Sequence, residues 1–558
     1  MEILNIKNLS FKYPSSEVNA LDSVSLSLEN GSFNLLCGES GCGKTTLLKM
    51  IKRELSPIGE KSGEVLFFGE DLSSLSDVKS ACEIGYVSQN TDDAIVTDTV
   101  WRELAFGLEN LGLDRDEAKR RVAETASFFG IEKLLQKKIC ELSGGQKQMI
   151  LLASVMLMHP KLLILDEPTS KLDPIAASDF IAAIRKLNSE LGITVIIAEH
   201  RIEELVSMAD RVIYMEDGRI PFVCRPRELA EKLSKTEKGY VMSAALPGAV
   251  RLFISLGKKG DSPLTVNEGR IFVSETYKNS IRQNEIPSYT HSDTESIRLE
   301  EVSFRYSKNS EDVLSCTDLT VYKGERFFIL GGNGVGKTTL LSVISGLRRP
   351  YRGKVFVEGK RLSEYKSNSL YRGVLASLPQ DPYTLFLKSS VKEDLCALLS
   401  AFGIKGDEAE RRINAVCTKM KTEHLLSRHP FDLSGGEIQK CALAKVLLTE
   451  PKVILLDEPT KGYDANSKAV FAEILRELKN DGITTVTVSH DIEFAAENAD
   501  RCAMLFGGEI ISPDIPEVFF SENYFYTTSA NRMARGSYDG VVTVDALARM
   551  CNINGEKE

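Results

Sequence analysis

The sequence predicts an α/β fold that is built twice in tandem along 558 residues. The string Gly-x-x-x-x-Gly-Lys-Thr stands at Gly38–Thr45 and again at Gly331–Thr338. Leu-Ser-Gly-Gly and Leu-Asp-Glu-Pro-Thr begin at Leu142 and Leu165, and each recurs 291 positions later. Because order and spacing are both preserved, we infer that one ancestral unit was duplicated, and a single hydrophobic core is excluded.

Within each half, short apolar runs alternate with helical patterns. In the first half, Phe33–Cys37, Leu162–Leu165 and Thr194–Ala198 are continuous apolar runs, typical of strands buried on both faces of a mostly parallel sheet. The stretch Asp114–Phe129 instead spaces its apolar residues at helical intervals among charges, and we expect the next helix to begin at a Ser143 cap. The pattern therefore predicts a helical insertion between strands of the sheet.

Composition and charge narrow the class of protein. Lys and Arg number 69 against 79 Asp and Glu, and the formal charge of -10 has the wrong sign for nonspecific nucleic-acid binding. The longest nearly unbroken apolar run, Met149–Met158, falls well short of the roughly 20 residues that span a bilayer, and no secretory signal opens the sequence. The 11 cysteines are scattered without a C-x-x-C pair, which favours reduced thiols. We expect a cytoplasmic chain without a nucleic-acid partner.

The two Gly-rich strings have the context of phosphate-binding loops. Each follows an apolar strand and opens a helical segment, so that backbone N–H groups and a helix N-terminus surround the phosphates. We expect Lys44 to reach the β- and γ-phosphates and Thr45 to bind Mg²⁺, with Lys337 and Thr338 in the same roles. The nucleotide-binding residues predicted for the two loops are Gly38, Glu39, Ser40, Gly41, Cys42, Gly43, Lys44, Thr45 and Thr46, and Gly331, Gly332, Asn333, Gly334, Val335, Gly336, Lys337, Thr338 and Thr339.

Two carboxylates end an apolar strand in each half. Strand alternation is expected to send the side chains of Asp166 and Glu167 in different directions, and those of Asp457 and Glu458 likewise. The aspartates would then face Mg²⁺, whereas the glutamates would lie nearer the γ-phosphate and polarise an attacking water. A lone Asp-Glu pair is more often a solvated strand end, but recurrence at a matched distance from the loop favours the catalytic interpretation.

Leu142-Ser-Gly-Gly-Gln and Leu433-Ser-Gly-Gly-Glu resemble the signature of ABC ATPases, and the resemblance covers nearly the whole chain. It implies two nucleotide-binding domains, each with a RecA-like, mostly parallel sheet core, an antiparallel β subdomain, an α-helical subdomain and a small C-terminal appendage. In that family the signature of one half faces the phosphate loop of the other, so that two ATP molecules lie between the halves. A serine and two glycine N–H groups at a helix N-terminus suit such an anion. The signature residues expected to bind nucleotide are Ser143, Gly144, Gly145, Gln146, Ser434, Gly435, Gly436 and Glu437.

The resemblance also implies roles for polar and aromatic residues outside these strings. Tyr13 and Tyr306 are similar to the aromatics that stack on adenine, although a lone Tyr on a strand more often only packs. Gln89 and Gln380 resemble the glutamines that sense Mg²⁺ and the transmembrane partner.

A histidine at the end of a strand recurs in both halves. His200 and His490 resemble the histidine that contacts the γ-phosphate and positions the water. The loops that lead to Asp173 and Asp464 depart slightly from the family pattern, which puts communication between the sites in doubt.

Together these residues predict two complete, composite hydrolysis sites. Hydrogen bonds across the interface would exist only while the γ-phosphate is attached, so ATP would favour closure and ADP opening. One predicted site comprises Lys44, Thr45, Gln89, Asp166, Glu167 and His200 with Ser434, and the other Lys337, Thr338, Gln380, Asp457, Glu458 and His490 with Ser143. The predicted metal ligands are Thr45, Gln89, Asp166, Thr338, Gln380 and Asp457.

The stretch between the two sets of motifs contains part of the repeat. The segment from Ala249 to Leu252 parallels that from Ala530 to Met533, which favours a small appendage after each ATPase domain. The domains expected are residues 1–235 for the first ATPase, 236–277 for its appendage, 278–295 for a linker, 296–512 for the second ATPase and 513–558 for its appendage.

The segment from Asn90 to Asn110 resembles the ATPases of energy-coupling factor (ECF) importers, as does the tail with Phe525-Tyr-Thr-Thr. This resemblance implies a separate transmembrane coupling subunit, a membrane-embedded substrate-binding subunit and a place at the cytoplasmic face of the membrane. The solute expected is a vitamin, a vitamin precursor or a transition-metal ion. Asp92 and Asp93 are expected to meet basic coupling helices; the plainer alternative is a helix that packs on its own domain.

Two other functions stay open from the sequence. Tandem ATPases of monosaccharide importers commonly lose catalytic residues in the second half, whereas Glu458 and His490 are kept here. Ribosome-acting tandem ABC proteins usually have a long charged helical linker; by comparison, the stretch from Lys278 to Glu295 is short and carries little net charge. If the loop is accessible when empty, ATP is expected to protect Cys42 from thiol modification.

Overall fold

The computed structural model describes residues 1–14, 16–200, 202–236, 239–277, 282–283, 286, 289–366 and 369–555. The chain divides into two compact units, Met1–Gly269 and Arg270–Glu558. Of the predicted linker at 278–295, residues 278–281, 284–285 and 287–288 lie outside the described residues. No helix in the described part of the chain is both long enough and apolar enough to cross a membrane.

The first unit alternates strands and helices as predicted. Its strands are β1 (Glu2–Lys12), β2 (Leu21–Glu29), β3 (Phe33–Cys37), β4 (Glu60–Phe67), β5 (Glu70–Asp71), β6 (Ile84–Val87), β7 (Leu162–Asp166), β8 (Thr194–Ala198), β9 (Arg211–Glu216) and β10 (Arg219–Cys224). Its helices are α1 (Lys44–Ile51), α2 (Asp77–Glu83), α3 (Thr91–Ala94), α4 (Val100–Asn110), α5 (Arg115–Phe129), α6 (Gly144–Met156), α7 (Pro174–Leu191), α8 (Glu203–Val206), α9 (Leu229–Leu233), α10 (Gly239–Ser243), α11 (Gly248–Ser255) and α12 (Val266–Thr276), the last of which crosses the unit boundary.

The strands of the first unit form two sheets. One is antiparallel with the order β2-β1-β4-β5, and the other has the order β10-β9-β3-β8-β7-β6, with parallel pairing throughout except between β9 and β10. Every residue of β3, β7 and β8 is buried, as expected for the centre of a sheet covered on both faces. The mostly parallel core and the antiparallel subdomain are therefore confirmed.

A large hydrophobic cluster of this unit joins the antiparallel sheet, α1 and one face of the six-stranded sheet. A smaller cluster joins α4, α5 and α6 through residues such as Leu104, Val122 and Ile150, all essentially buried. The predicted helical insertion is thus a subdomain with its own core. Its middle helix begins after Asp114, whose carboxylate accepts hydrogen bonds from the N–H groups of Asp116 and Glu117.

The second unit repeats this architecture. Its strands are β11 (Arg282–Gln283), β12 (Glu295–Phe304), β13 (Leu314–Tyr322), β14 (Arg326–Leu330), β15 (Arg352–Val357), β16 (Lys360–Arg361), β17 (Leu375–Leu378), β18 (Val453–Asp457), β19 (Thr484–Ser489), β20 (Arg501–Phe506), β21 (Glu509–Asp514) and β22 (Tyr538–Asp539). Its helices are α13 (Lys337–Ile344), α14 (Val391–Ala401), α15 (Asp407–Met420), α16 (Gly435–Leu447), α17 (Ala465–Asn480), α18 (Ile492–Asn498), α19 (Pro516–Glu522), α20 (Ser529–Ala534) and α21 (Val544–Gly555).

The sheet orders of the second unit match those of the first. The antiparallel sheet has the order β13-β12-β15-β16, the mostly parallel sheet has the order β17-β18-β19-β14-β20-β21, and β11 pairs with β22. The parallel that the sequence shows between the two appendages corresponds to a short helix followed by a longer one, α11 and α12 in one half and α20 and α21 in the other.

Candidate active sites

Each phosphate loop joins a buried strand to a helix, from β3 to α1 in the first unit and from β14 to α13 in the second. The residue before each helix is a glycine in the left-handed region, with a φ of 104° at Gly43 and 103° at Gly336. A Cβ atom at Gly43 would lie 2.5 Å from the carbonyl oxygen of Ala20, so both the turn and the close approach require glycine. A helix N-terminus behind such a loop stabilises a phosphate through its N–H groups and its dipole.

The two loop lysines are buried and held against the loops. The Lys44 ammonium donates to the carbonyl oxygens of Gly38 and Glu39, both at 2.9 Å. Lys337 donates to the equivalent carbonyls of Gly331 and Gly332 at 3.0 and 2.9 Å. Burial lowers the pKa of the Lys337 side chain. A buried ammonium at the start of a helix can bind a phosphate, because a charge-assisted hydrogen bond to phosphate is stronger than one to a carbonyl oxygen.

A threonine and an aspartate meet beside each loop. The Thr45 hydroxyl donates to Oδ1 of Asp166 at 3.0 Å, and the Thr338 hydroxyl to Oδ1 of Asp457 at 3.2 Å. Burial raises the pKa of both carboxyls, and the threonine hydrogen bonds offset this only in part. A cation beside either carboxylate would therefore be stabilised.

These oxygen donors fit Mg²⁺. Within the described residues, no group of three or more His, Cys, Asp or Glu side chains is placed to hold a metal ion. Mg²⁺ usually binds through one or two carboxylates, keeps several waters and takes phosphate oxygens from a nucleotide. One hydroxyl and one carboxylate per site agree with that coordination.

The glutamate that follows each aspartate is paired with the predicted histidine. Oε1 of Glu167 lies 2.8 Å from Nε2 of His200, and Oε2 of Glu458 lies 3.1 Å from Nδ1 of His490. The Gln89 amide donates to Oε2 of Glu167 at 3.1 Å. The first unit thus brings three predicted site residues together around one carboxylate.

In the second unit the glutamate is held in its ionised form. Burial raises the pKa of the Glu458 carboxyl, but the hydrogen bond and charge of His490 together with the charge of Lys337 outweigh it, so the net shift is downward. Nζ of Lys337 lies 3.8 Å from Oε1 of Glu458. An ionised carboxylate can accept a proton from water. Gln380 is exposed after β17, at the position that matches Gln89.

The directions of the paired carboxylates do not come from strand alternation, contrary to the prediction. Strands β7 and β18 end at the aspartates, and the next residues, Glu167 and Glu458, both have a φ of 46°. Their backbone N–H groups donate to the carbonyl oxygens of Ala198 and Val488 on the neighbouring strands. A left-handed glutamate is strained and persists only where its surroundings hold it, as they do at functional sites.

The two predicted adenine-stacking tyrosines lie near the loops. The Tyr13 hydroxyl is 3.1 Å from Oγ1 of Thr46, and that of Tyr306 is 2.8 Å from Oγ1 of Thr339. Tyr306 is 57% exposed, and the guanidinium carbon of Arg348 lies 4.5 Å from the centre of its ring. The structure therefore places these rings beside the first helical turn after each loop.

The signature serines cap helices, as predicted for Ser143. The Ser143 hydroxyl accepts from the Gln146 N–H, and the Gln146 side chain accepts from the Ser143 N–H at 3.1 Å. Ser434 and Glu437 form the same capping box at the start of α16. Both signatures are therefore helix N-termini, with the backbone geometry that an anion site requires.

Two site residues were not identified from the sequence. The Tyr86 hydroxyl donates to Oδ2 of Asp166 at 2.9 Å, and Ser377 stands at its place in the second unit. The buried Glu199 lies between β8 and His200. A comparison of the two halves could have found them, because Tyr86 and Glu199 stand where the second half has Ser377 and Ser489.

The structure changes the expectation for the loop cysteine. Cys42 is only 6% exposed, and burial raises the pKa of its thiol. A buried thiol with little thiolate reacts slowly whether or not nucleotide is bound. Cys42 modification is therefore a poor reporter of ATP binding.

The acidic pair after Gln89 is also engaged within its own unit. Nζ of Lys147 lies 2.7 Å from Oδ1 of Asp92, and the Asn90 amide donates to Asp93. Asp92 therefore already has a basic partner within its own unit, and its contact with basic coupling helices stays a prediction. Helix α4 packs its apolar face on the helical subdomain.

Two phosphate loops, each with a threonine–aspartate pair and a glutamate–histidine pair, define a tandem nucleotide hydrolase. A family model described as ABC transporter matches residues 21–170 and 314–461. The chain belongs to this family; it is an ATP hydrolase and the ATPase of a transporter.

The chain is similar to full-length relatives of the same kind. It is 41% identical over 557 residues, 98% of each chain, to a Bacillus anthracis protein provisionally named ABC transporter ATP-binding protein. It is 30% identical over 526 residues, 93% of each chain, to the Bacillus subtilis protein provisionally named HMP/thiamine import ATP-binding protein YkoD. Among solved structures, cbiO1 from Clostridium perfringens, part of the transporter complex cbiONQ, is 32% identical with a TM-score of 0.38, covering 43% of this chain and 98% of that one.

Proposed function

We propose that the chain energises a membrane importer of the ECF type through ATP hydrolysis at two sites. The observation that carries this proposal is that both units keep the whole hydrolytic set, because an importer with a degenerate half would have lost part of it. The relative named for HMP/thiamine import matches over 93% of both chains, which supports import.

In each site we assign proton acceptance to the glutamate. The Glu167 carboxylate takes a proton from the attacking water while His200, at 2.8 Å, orients that carboxylate and contacts the γ-phosphate. Glu458 and His490 have these roles in the second site. The loop lysines neutralise charge on the β- and γ-phosphates.

Mg²⁺, when bound beside the threonine–aspartate pairs, supplies charge that stabilises the transferring phosphoryl group. Thr45 and Asp166 would hold it in the first site, with Gln89 nearby, and Thr338 and Asp457 in the second, with Gln380. The chain's own contribution is to keep hydroxyl and carboxylate oxygens within hydrogen-bond distance of each other.

We further propose that the halves pair around ATP, with Ser434 completing the first site and Ser143 the second. Each serine lies at a helix N-terminus and so offers a hydroxyl and backbone N–H groups to the γ-phosphate. Loss of the γ-phosphate removes those hydrogen bonds, each worth roughly 1.5–3 kcal/mol, and the halves separate.

An exposed apolar residue before α4 and α14 suggests where the membrane partner docks. Val96 is 68% exposed and Leu387 is 87% exposed, and they occupy matching positions 291 residues apart. The Glu103 carboxylate accepts from the N–H groups of Val96 and Thr97, and Asp394 does the same for the loop of Leu387. Each apolar side chain is thus presented by a loop that a carboxylate of its own unit holds in place.

The partners proposed are a transmembrane coupling subunit and a membrane-embedded substrate-binding subunit, and the chain would lie on the cytoplasmic face of the cell membrane. The solute would be a vitamin, a vitamin precursor or a transition-metal ion, selected by the substrate-binding subunit.

Purification of the tagged chain from its native membrane tests the partner proposal. We expect small hydrophobic subunits to co-purify, and Val96→Asp with Leu387→Asp to lose them because charge at the docking loops opposes apolar contact. ATP hydrolysis by the variant serves as the control and is expected to persist. Recovery with ribosomes instead of membrane subunits would overturn the proposal.

Glu167→Gln combined with Glu458→Gln tests the base assignment. An amide cannot accept the proton, so we expect phosphate release to fall by at least about 100-fold while ATP binding persists. Phosphate release and nucleotide binding are measured on the same preparation. Normal turnover in the double variant would refute the assignment.

A further inference from the structure

Glu199 is a buried carboxylate that the proposed hydrolysis does not use. It follows β8, directly before His200, and is 1% exposed. A buried carboxylate is costly unless its oxygens are hydrogen-bonded, so its partners indicate what it does.

One carboxylate joins two loops of the first site. Oε1 of Glu199 accepts from both the backbone N–H and the hydroxyl of Thr169, each at 2.7 Å. Oε2 lies 3.3 Å from the backbone N of His200, which donates to it. Thr169 is two residues beyond Glu167 and is 1% exposed. Glu199 therefore ties the loop after the proposed base to the strand end that carries its histidine.

The second site has a serine at the position that matches Glu199. Ser489 precedes His490, is 2% exposed, and its hydroxyl accepts from the Asp491 N–H at 3.0 Å. A serine has one short-reaching oxygen and cannot bridge two loops as a glutamate does. The matching threonine, Thr460, is also buried, so the loops agree while the residue that joins them differs.

The electrostatics of Glu199 reflect its burial beside the first site. Burial raises the pKa of its carboxyl to about 7, and the hydrogen bonds from Thr169 counteract this shift. The charged groups that act on it are Glu167, which raises its pKa, and His200, which lowers it. Glu199 therefore shares its surroundings with the base and histidine of the first site.

We propose that Glu199 is a positioning residue of the first site, which fixes the Glu167–His200 pair by holding Thr169 and the His200 backbone. This inference rests on the proposed roles of Glu167 and His200. The second site has no matching carboxylate at Ser489, so the two sites differ in how the base is held.

Three variants of the full chain test the proposal, each combined with Glu458→Gln so that hydrolysis by the second site does not mask the first. We expect Glu199→Ser, which adopts the residue of the second unit, to lower kcat for ATP about tenfold with KM within twofold of the original, since misplaced groups slow chemistry more than binding. Glu199→Gln keeps the acceptor for Thr169 but loses the acceptor for the His200 N–H, so we expect it to retain more of kcat than Glu199→Ser does. Glu325→Gln is the matched control, because Glu325 is a buried carboxylate held by Tyr322 and Arg501 away from the loops.

A double-mutant cycle separates positioning from general stability. If Glu199 acts through Thr169, Thr169→Val with Glu199→Ser lowers kcat by less than the product of the single effects. An unchanged kcat in Glu199→Ser would overturn the proposal. So would an equal fall of both kcat and the thermal midpoint in Glu199→Ser and Glu325→Gln, because that would show only a general loss of stability. Glu167→Gln is assayed in the same Glu458→Gln background: if turnover persists there, the base assignment has failed, whereas loss of turnover there together with normal Glu199→Ser activity means that this inference alone has failed.

Discussion

At the scale of single residues, the two proposed hydrolysis sites have the same hydrolytic residues, but the side chains that hold those residues in place differ. Asp166 accepts from Thr45 and Tyr86, whereas the hydrogen bond recorded for Asp457 comes from Thr338. Glu199 adds a second support to the first site. Such differences alter the electrostatics of a site without changing the residues that contact nucleotide, so the two sites are expected to respond differently to pH.

The pH dependence of stability tests the buried state of Glu199. Its pKa is raised by burial from 4.5 to about 7, so the folded chain binds this proton more tightly than the unfolded chain. The stability that the protonated Glu199 carboxyl contributes to the folded chain is fully present below pH 4.5 and is lost as the pH rises through about 7. Glu199→Gln cannot ionise, and we expect its free energy of unfolding, relative to the original chain, to rise across this window by up to about 3 kcal/mol.

Urea unfolding at pH 5 and pH 8 measures this difference. The Gln side chain has nearly the same size and shape as the Glu side chain, so a difference between the two proteins reports ionisation and not a change in packing. Equal pH dependence in the two proteins would show that Glu199 does not titrate between these values.

At the scale of elements, helix ends position most of the polar groups of the sites. The loop lysines open α1 and α13, and the signature serines cap α6 and α16. A helix end combines unpaired N–H groups with a dipole, which is why an anion is recognised there by so few side chains. The contribution of a cap to stability can be separated from its role in nucleotide binding by mutating caps inside and outside the proposed sites.

Replacement of the signature caps tests their second role. Ser143→Ala with Ser434→Ala removes two helix caps, each worth about 1 kcal/mol of stability, and also the hydroxyls proposed to contact the γ-phosphate. We expect ATP hydrolysis to fall at least tenfold. Asp114→Ala, which removes the cap of α5, is the matched control and is expected to lose similar stability per cap with normal hydrolysis. Equal hydrolysis in both variants would contradict the proposed role.

At the scale of the whole molecule, the chain is two compact units of the same architecture. Each unit contains a loop lysine, a proposed base and a histidine, but the proposed function takes its signature serine from the other unit. Duplication within one chain raises the effective concentration of one half for the other, so that the proposed ATP-dependent contact could be weak and still form.

A fragment of residues 1–277 tests whether one half suffices for hydrolysis. It contains the first compact unit and keeps α12 in one piece. We expect the monomeric fragment to bind ATP yet hydrolyse it at under about 1% of the full-chain rate, and activity to return on mixing with the remaining half. Monomer state is checked by light scattering during the assay. Hydrolysis at the full-chain rate by a fragment that stays monomeric would contradict the proposal.

The sequence by itself determined the repeat, the alternation of strands and helices within each half, and the positions of the motif residues. It did so because a phosphate loop, a buried strand and a helix cap are local patterns, readable over a few positions. Helix α5 and strands β3 and β8 accordingly match the predicted bounds to within one residue.

Only the tertiary structure decided which distant side chains support the sites. Tyr86 reaches Asp166 because β6 lies beside β7 in parallel register, and Glu199 reaches Thr169 because β8 lies on the other side of β7. Strand order and register join residues that are 80 and 30 positions apart, and no local pattern specifies them. The left-handed backbone of Glu167 is decided in the same way, by the hydrogen bond that its N–H donates to the neighbouring strand.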